Sequence, residues 1–140
     1  MDKWKFAVDN ENLINLVLLG KKIATTSLFK GKIEPIGEKS LILHDDDSPA
    51  CMIMIKKVII TKFKDITEEE AALEGEGDLS LSYWKEVHRN LFSNFTNFND
   101  DTLIMMEIFI TSFVMNYLTV FPKVNNACIK INYMIKFYCL

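Results

Sequence analysis

The sequence has 140 residues, 49% of them apolar and 25% charged, which suits one compact domain and argues against a disordered or low-complexity chain. Three cysteines, Cys51, Cys128 and Cys139, have no C-x-x-C spacing and suggest neither a disulfide framework nor a zinc site. The net charge of −3 does not favour tracking a polyanion along the whole surface, but residues 65–113 hold two basic residues against eleven acids while residues 1–64 hold eleven lysines against eight acids, so a local basic lip can sit beside an acidic face.

The first residues, MDKWKFAVDNENL, lack the apolar core of a signal peptide, and polar residues interrupt each later apolar stretch before membrane-spanning length. A soluble, cytoplasmic protein is expected. Asp9 and Asn10 are candidate helix N-caps, Leu13, Ile14, Val17 and Leu18 follow at helical spacing, and Gly20 stands where the helix should stop. GKKIATTS (20–27) therefore falls at a helix-to-strand corner, with β-branched Ile23, Thr25 and Thr26 leading into an extended segment.

LFKGKIEPIGEK (28–39) reads as a loop, SLILH (40–44) as a strand, and Asp45 to Pro49 as a turn into a long apolar strand, ACMIMIKKVIITKF (50–63). Thr67 and Glu70 form a capping-box pattern for a short helix ending at Gly75. A second helix after Asp78 carries Trp84, Val87, His88 and Leu91 on one face. A polar loop, SNFTNFNDD (93–101), precedes a closing strand, TLIMMEIFITSF (102–113). Strands interrupted by short helices, without a βαβ rhythm, indicate an α+β fold, and barrel closure would protect the apolar strand edges.

Three groups of residues bear on chemistry. Gly20, Lys21, Lys22, Thr25, Thr26 and Ser27 present ammonium and hydroxyl groups that can hold a phosphate or polarise a carbonyl, although GxxxxGK[ST] is absent and a solvated loop fits the spacing too. Glu74, Glu76 and Asp78 alternate with glycines, so their carboxylates can converge, as they also do in plain turns between helices. Trp84 and His88 lie one helical turn apart, and can stack a base and bond its edge or simply pack in the core.

GKKIATTSL and EGEGDLSLSYWKEVHRNLF (74–92) together resemble the ASCH domain family, over roughly residues 4–113. The resemblance implies a PUA-like β-barrel, mixed but mostly antiparallel, with short flanking helices, spanning residues 1–113. It also implies a cleft where the lysine corner meets the glutamate turn and binds RNA, a nucleoside or a nucleotide, with Lys21, Lys22, Thr26, Ser27, Glu76, Trp84 and His88 as contacts and no resident cofactor or metal. A second reading follows from relatives that cleave an acyl group from modified cytidine: by position, Lys22, Thr25 and Glu74 match their catalytic residues. Thr25 would be the nucleophile, Lys22 its base, and Glu74 the group that orients the lysine or carries the proton. A third is a metal-dependent ribonuclease using Glu74, Glu76 and His88 to hold Mg or Mn. Residues 114–140 extend past the expected domain, with alternation at Ile129, Ile131, Tyr133 and Ile135 that suits an added strand or a homodimer arm.

Overall fold

The computed structural model describes residues 1–113, apart from Thr96. The elements run β1 (Asp2–Trp4), α1 (Asn10–Leu18), β2 (Ala24–Leu28), β3 (Lys39–Leu43), β4 (Pro49–Lys62), a 3₁₀ turn (Phe63–Asp65), α2 (Glu68–Ala72), α3 (Leu81–Phe92) and β5 (Leu103–Phe113). The strands form one sheet in the order β1-β3-β4-β5-β2, parallel between β1 and β3 and antiparallel elsewhere. This mixed sheet curls into a half-barrel flanked by short helices, the α+β, PUA-like architecture expected. The extension expected as a strand or dimer arm, residues 114–140, lies outside the described residues. Among those described, no helix is long and apolar enough to cross a membrane.

Local chemistry explains the boundaries. Thr67 Oγ1 accepts from the Glu70 amide, and the Glu70 carboxylate accepts from the Thr67 amide, closing the capping box that begins α2. Ser80 caps α3: its hydroxyl accepts from the Tyr83 amide, while Asp78 accepts from the Ser80 amide. Asp9 sits at the N-cap of α1 in left-handed backbone, without a side-chain cap bond. Asn10 has another task. Its buried side chain accepts from the Phe6 amide and donates to the Leu43 carbonyl and Asp45, tying α1 to the β3–β4 hairpin.

β4 is long enough to serve two layers because a bulge bends it: Ile55 lies opposite Phe109, but Lys57 lies opposite Ile108. Side chains along β5 alternate between faces. Phe109 joins Ile42, Cys51, Ile53 and Ile55 under Ile14 and Val17 of α1. Ile104 and Met106 join Ala24 and Phe63 under Trp84 and Phe92 of α3. The sheet therefore carries one core on each face, and β2 is one of its two end strands.

Candidate functional site

The corner that starts β2 is built by the end of α1. The Gly20 amide donates to Val17 O and the Lys21 amide to Leu16 O, the paired bonds of a Schellman stop, with Gly20 at φ +70°. The chain reverses, and Lys22 is driven inward until 1% of it is exposed. An ammonium so placed needs charge partners.

They come from the loop between α2 and α3. Gly75 and Gly77 both hold positive φ, and neither tolerates a side chain: a Cβ at Gly75 would overlap the Lys21 carbonyl, and one at Gly77 would lie 2.5 Å from the Tyr83 ring. The glycines thus let the loop press onto the lysine corner while Glu74 and Glu76 turn in. Lys22 Nζ donates to Glu74 Oε2 at 2.6 Å and to Glu76 Oε1 at 2.7 Å. Glu74 Oε1 accepts from Trp84 Nε1 at 3.0 Å and faces His88 Nε2 at 3.3 Å.

Burial acts to raise the pKa of Glu74, but the Lys22 ammonium and the His88 hydrogen bond outweigh it and hold the carboxyl well below its usual range. Glu74 therefore stays ionised, suited to orienting Lys22 and not to delivering a proton. His88 Nδ1 lies 2.9 Å from the Trp84 carbonyl, which can only accept, so Nδ1 carries a hydrogen.

This cluster floors a cleft of about 640 Å³ lined by Lys22, Thr25, Thr26, Glu74, Glu76 and His88, with Phe6, Val8, Tyr83 and Leu91 in its walls. Six of the residues singled out from sequence are thus brought together. Lys21 is exposed and lies outside the cleft, and Ser27 faces a smaller one of about 260 Å³ on the Glu107 side of β2.

Trp84 departs from the expectation that it stacks a base. Only 3% of it is exposed, its indole is stacked on His88 at 4.0 Å and packed against Phe63, and its N–H is spent on Glu74. It positions the cluster. Tyr83, its neighbour, is an exposed aromatic at the cleft and was not singled out; its place off the apolar face of α3 was the available signal. Phe6, 5.4 Å from Lys22 Nζ, was likewise missed.

A divalent ion held by Glu74, Glu76 and His88 does not fit this arrangement. Lys22 already bonds an oxygen of each carboxylate, a second cation there would face the ammonium, and the inward His88 nitrogen is turned to Glu74. Among the described residues no group of three or more His, Cys, Asp or Glu side chains is placed to hold a metal.

The ASCH domain family model matches residues 2–112. Among solved structures, an ASCH domain from Lactobacillus crispatus JV V101 is 33% identical, with a TM-score of 0.73 over 81% of this chain and 80% of that one. A protein from Enterococcus faecalis V583 is 26% identical, with a TM-score of 0.69 over 81% of this chain and 77% of that one. Curated proteins yield no match. The match across the whole described fold, together with the lysine corner meeting the glycine-glutamate turn, places this chain in the ASCH domain family.

Proposed function

We propose that the protein binds a nucleoside unit of RNA, with the base in the 640 Å³ cleft and the ribose-phosphate chain outside it. The observation that carries this reading is the buried Lys22–Glu74–Glu76 cluster at the cleft floor. Ionised side chains taken from water are costly to maintain, and they concentrate where a site needs fixed charge. The family is associated with RNA binding, which accords with this reading. A floor in which one ammonium is shared by two carboxylates offers no free positive charge to a phosphate and suits the polar edge of a base better. Glu76, partly exposed and with one oxygen on Lys22, remains an acceptor and favours an exocyclic amino group.

The test is a titration with short single-stranded RNA and with single nucleosides at low and high salt. RNA binding should weaken as salt rises, and again when Lys21 and Lys22 are changed to Ala. No binding at low salt by the wild type would overturn the reading.

A second reading, hydrolysis of an acyl group from modified cytidine, is favoured by Thr25, half-buried in the same cleft as Lys22. Its roles then shift. Lys22 bonds Glu74 and Glu76 rather than Thr25, and as a free base it would leave two carboxylates without a counter-charge, so its ammonium would polarise the acyl carbonyl. Turnover of acylated cytidine should vanish in Thr25→Ala; equal turnover by that variant excludes the mechanism.

A further inference from the structure

The cleft contains two groups that the charged cluster leaves unexplained. The first is Thr26. It is 8% exposed and lines the cleft, yet its Oγ1 is buried without a hydrogen-bond partner among the described residues. A buried hydroxyl without a partner is costly, and a polar ligand atom in the cleft would satisfy it.

The main chain of Thr26 is available as well. Phe109 N–H donates to Ile23 O, and Phe29 N–H donates to Leu103 O. Antiparallel pairing turns alternate residues toward the neighbouring strand, so Ile23, Thr25, Ser27 and Phe29 face β5. Thr26 consequently presents its N–H and C=O at the other edge of β2.

The second group is the Tyr83 ring. It is 38% exposed, lines the same cleft, and rests against Gly77, where a Cβ would press on it. Glycine at 77 therefore gives the ring a fixed seat while part of its surface stays open. A planar surface beside an unsatisfied polar edge matches the two demands of a heterocyclic base, a face to stack on and an edge to bond.

We infer that Tyr83 and Thr26 form the base-reading pair of the cleft: Tyr83 stacks an unpaired nucleobase, and Thr26 hydrogen bonds its edge through Oγ1. This rests on the nucleoside-binding reading and adds that the base must be unpaired, since a duplex occupies both its faces and its edge. Direct ligand contact by these residues separates the idea from a packing role.

The experiment is calorimetric titration of the full chain with cytidine, adenosine and a short single-stranded RNA, beside a duplex of matching sequence. Thermal melts of each variant accompany it. Tyr83→Ala should weaken single-strand binding by roughly 5- to 150-fold, the range for losing one stacked base, and Tyr83→Phe should restore it to within about twofold. Thr26→Val should weaken binding by about 3- to 10-fold while raising the melting temperature of the free protein, and Thr26→Ser should bind like wild type. Opposite signs on affinity and stability are what a merely structural threonine would not give. Wild-type binding that Lys22→Ala weakens but Tyr83→Ala and Thr26→Val leave unchanged would overturn this inference alone, as would duplex binding equal to single-strand binding. No binding by the wild type would overturn the nucleoside reading and this inference with it.

Discussion

Replacing Lys22 by Met removes the ammonium at the centre of the cluster while keeping most of the side-chain volume. In the wild type Nζ lies 2.6 Å from Glu74 and 2.7 Å from Glu76, and Lys22 and Glu74 are 1% and 2% exposed. At an effective dielectric of about 20, each pair attracts by about 6 kcal/mol, offset by several kcal/mol for each ion withdrawn from water. Lys22→Met leaves two carboxylates uncompensated and should cost about 3–5 kcal/mol. Glu74→Gln alone should cost less, because Lys22 keeps Glu76 and the amide oxygen can still accept from Trp84. In the Lys22→Met background, however, the same Glu74→Gln change relieves a buried charge and should stabilise by about 1–2 kcal/mol. Urea denaturation of the four proteins at pH 7, followed by far-ultraviolet circular dichroism, reads the cycle. If Glu74→Gln costs the same in both backgrounds, the cluster is not electrostatically coupled and the reasoning fails.

Three further predictions follow from the same geometry. Because the folded pKa of Glu74 lies below its ordinary 4.5, its stabilising contribution is complete above that value and lost as pH falls. The stability difference between wild type and Glu74→Gln should therefore shrink by roughly 1.4 kcal/mol per pH unit below 4.5, and a difference constant between pH 3 and pH 5 would contradict the assignment. Gly75→Ala should cost more than about 2 kcal/mol, since left-handed backbone and overlap with Lys21 act together, whereas Gly37→Ala, at φ +89° with open space around it, should cost only about 1 kcal/mol. Similar costs for the two in chemical denaturation would remove the close-approach argument. Asn10→Ala deletes three hydrogen bonds, two joining α1 to the β3–β4 hairpin and one to the Phe6 amide, and should cost about 2–4 kcal/mol by the same method; a loss under about 0.5 kcal/mol would mean those bonds are not stabilising.

Much of the architecture was legible because local signals and tertiary structure agree. Thr67 and Glu70 announce a capping box and form one; Gly20 announces a helix stop and makes the Schellman bonds. The apolar run from Ala50 to Phe63 reads as one long strand because it is buried in two layers, the bulge after Ile55 being invisible to a pattern without clean alternation. β1 escaped notice because three residues carry no period, and its place depends on parallel pairing with β3 far along the chain. Asn10 reads as a cap from spacing alone, yet its side chain is claimed by Leu43 and Asp45, a competition that only the folded chain reveals.

The site was legible at the level of which segments meet. Lys22, Thr25, Thr26, Glu74, Glu76 and His88 do share one cleft. Their individual roles were less so, since burial decides them: Trp84 and Tyr83 are adjacent aromatics on one helix, and helical phase alone puts the first in the core and the second at the cleft. Lys22 shows the same limit, because nothing in GKKIATTS distinguishes the exposed Lys21 from a buried lysine clasped by two carboxylates.

Entry of a base into the cleft floored by Lys22, Glu74 and Glu76 can be observed directly. Its most direct test is a crystal structure of the protein soaked with cytidine or adenosine at saturating concentration. The base should lie in the 640 Å³ cleft, over Tyr83, with its amino edge within hydrogen-bonding distance of Glu76. A base bound elsewhere on the sheet, or an unaltered cleft at a concentration where solution binding is saturated, would contradict it.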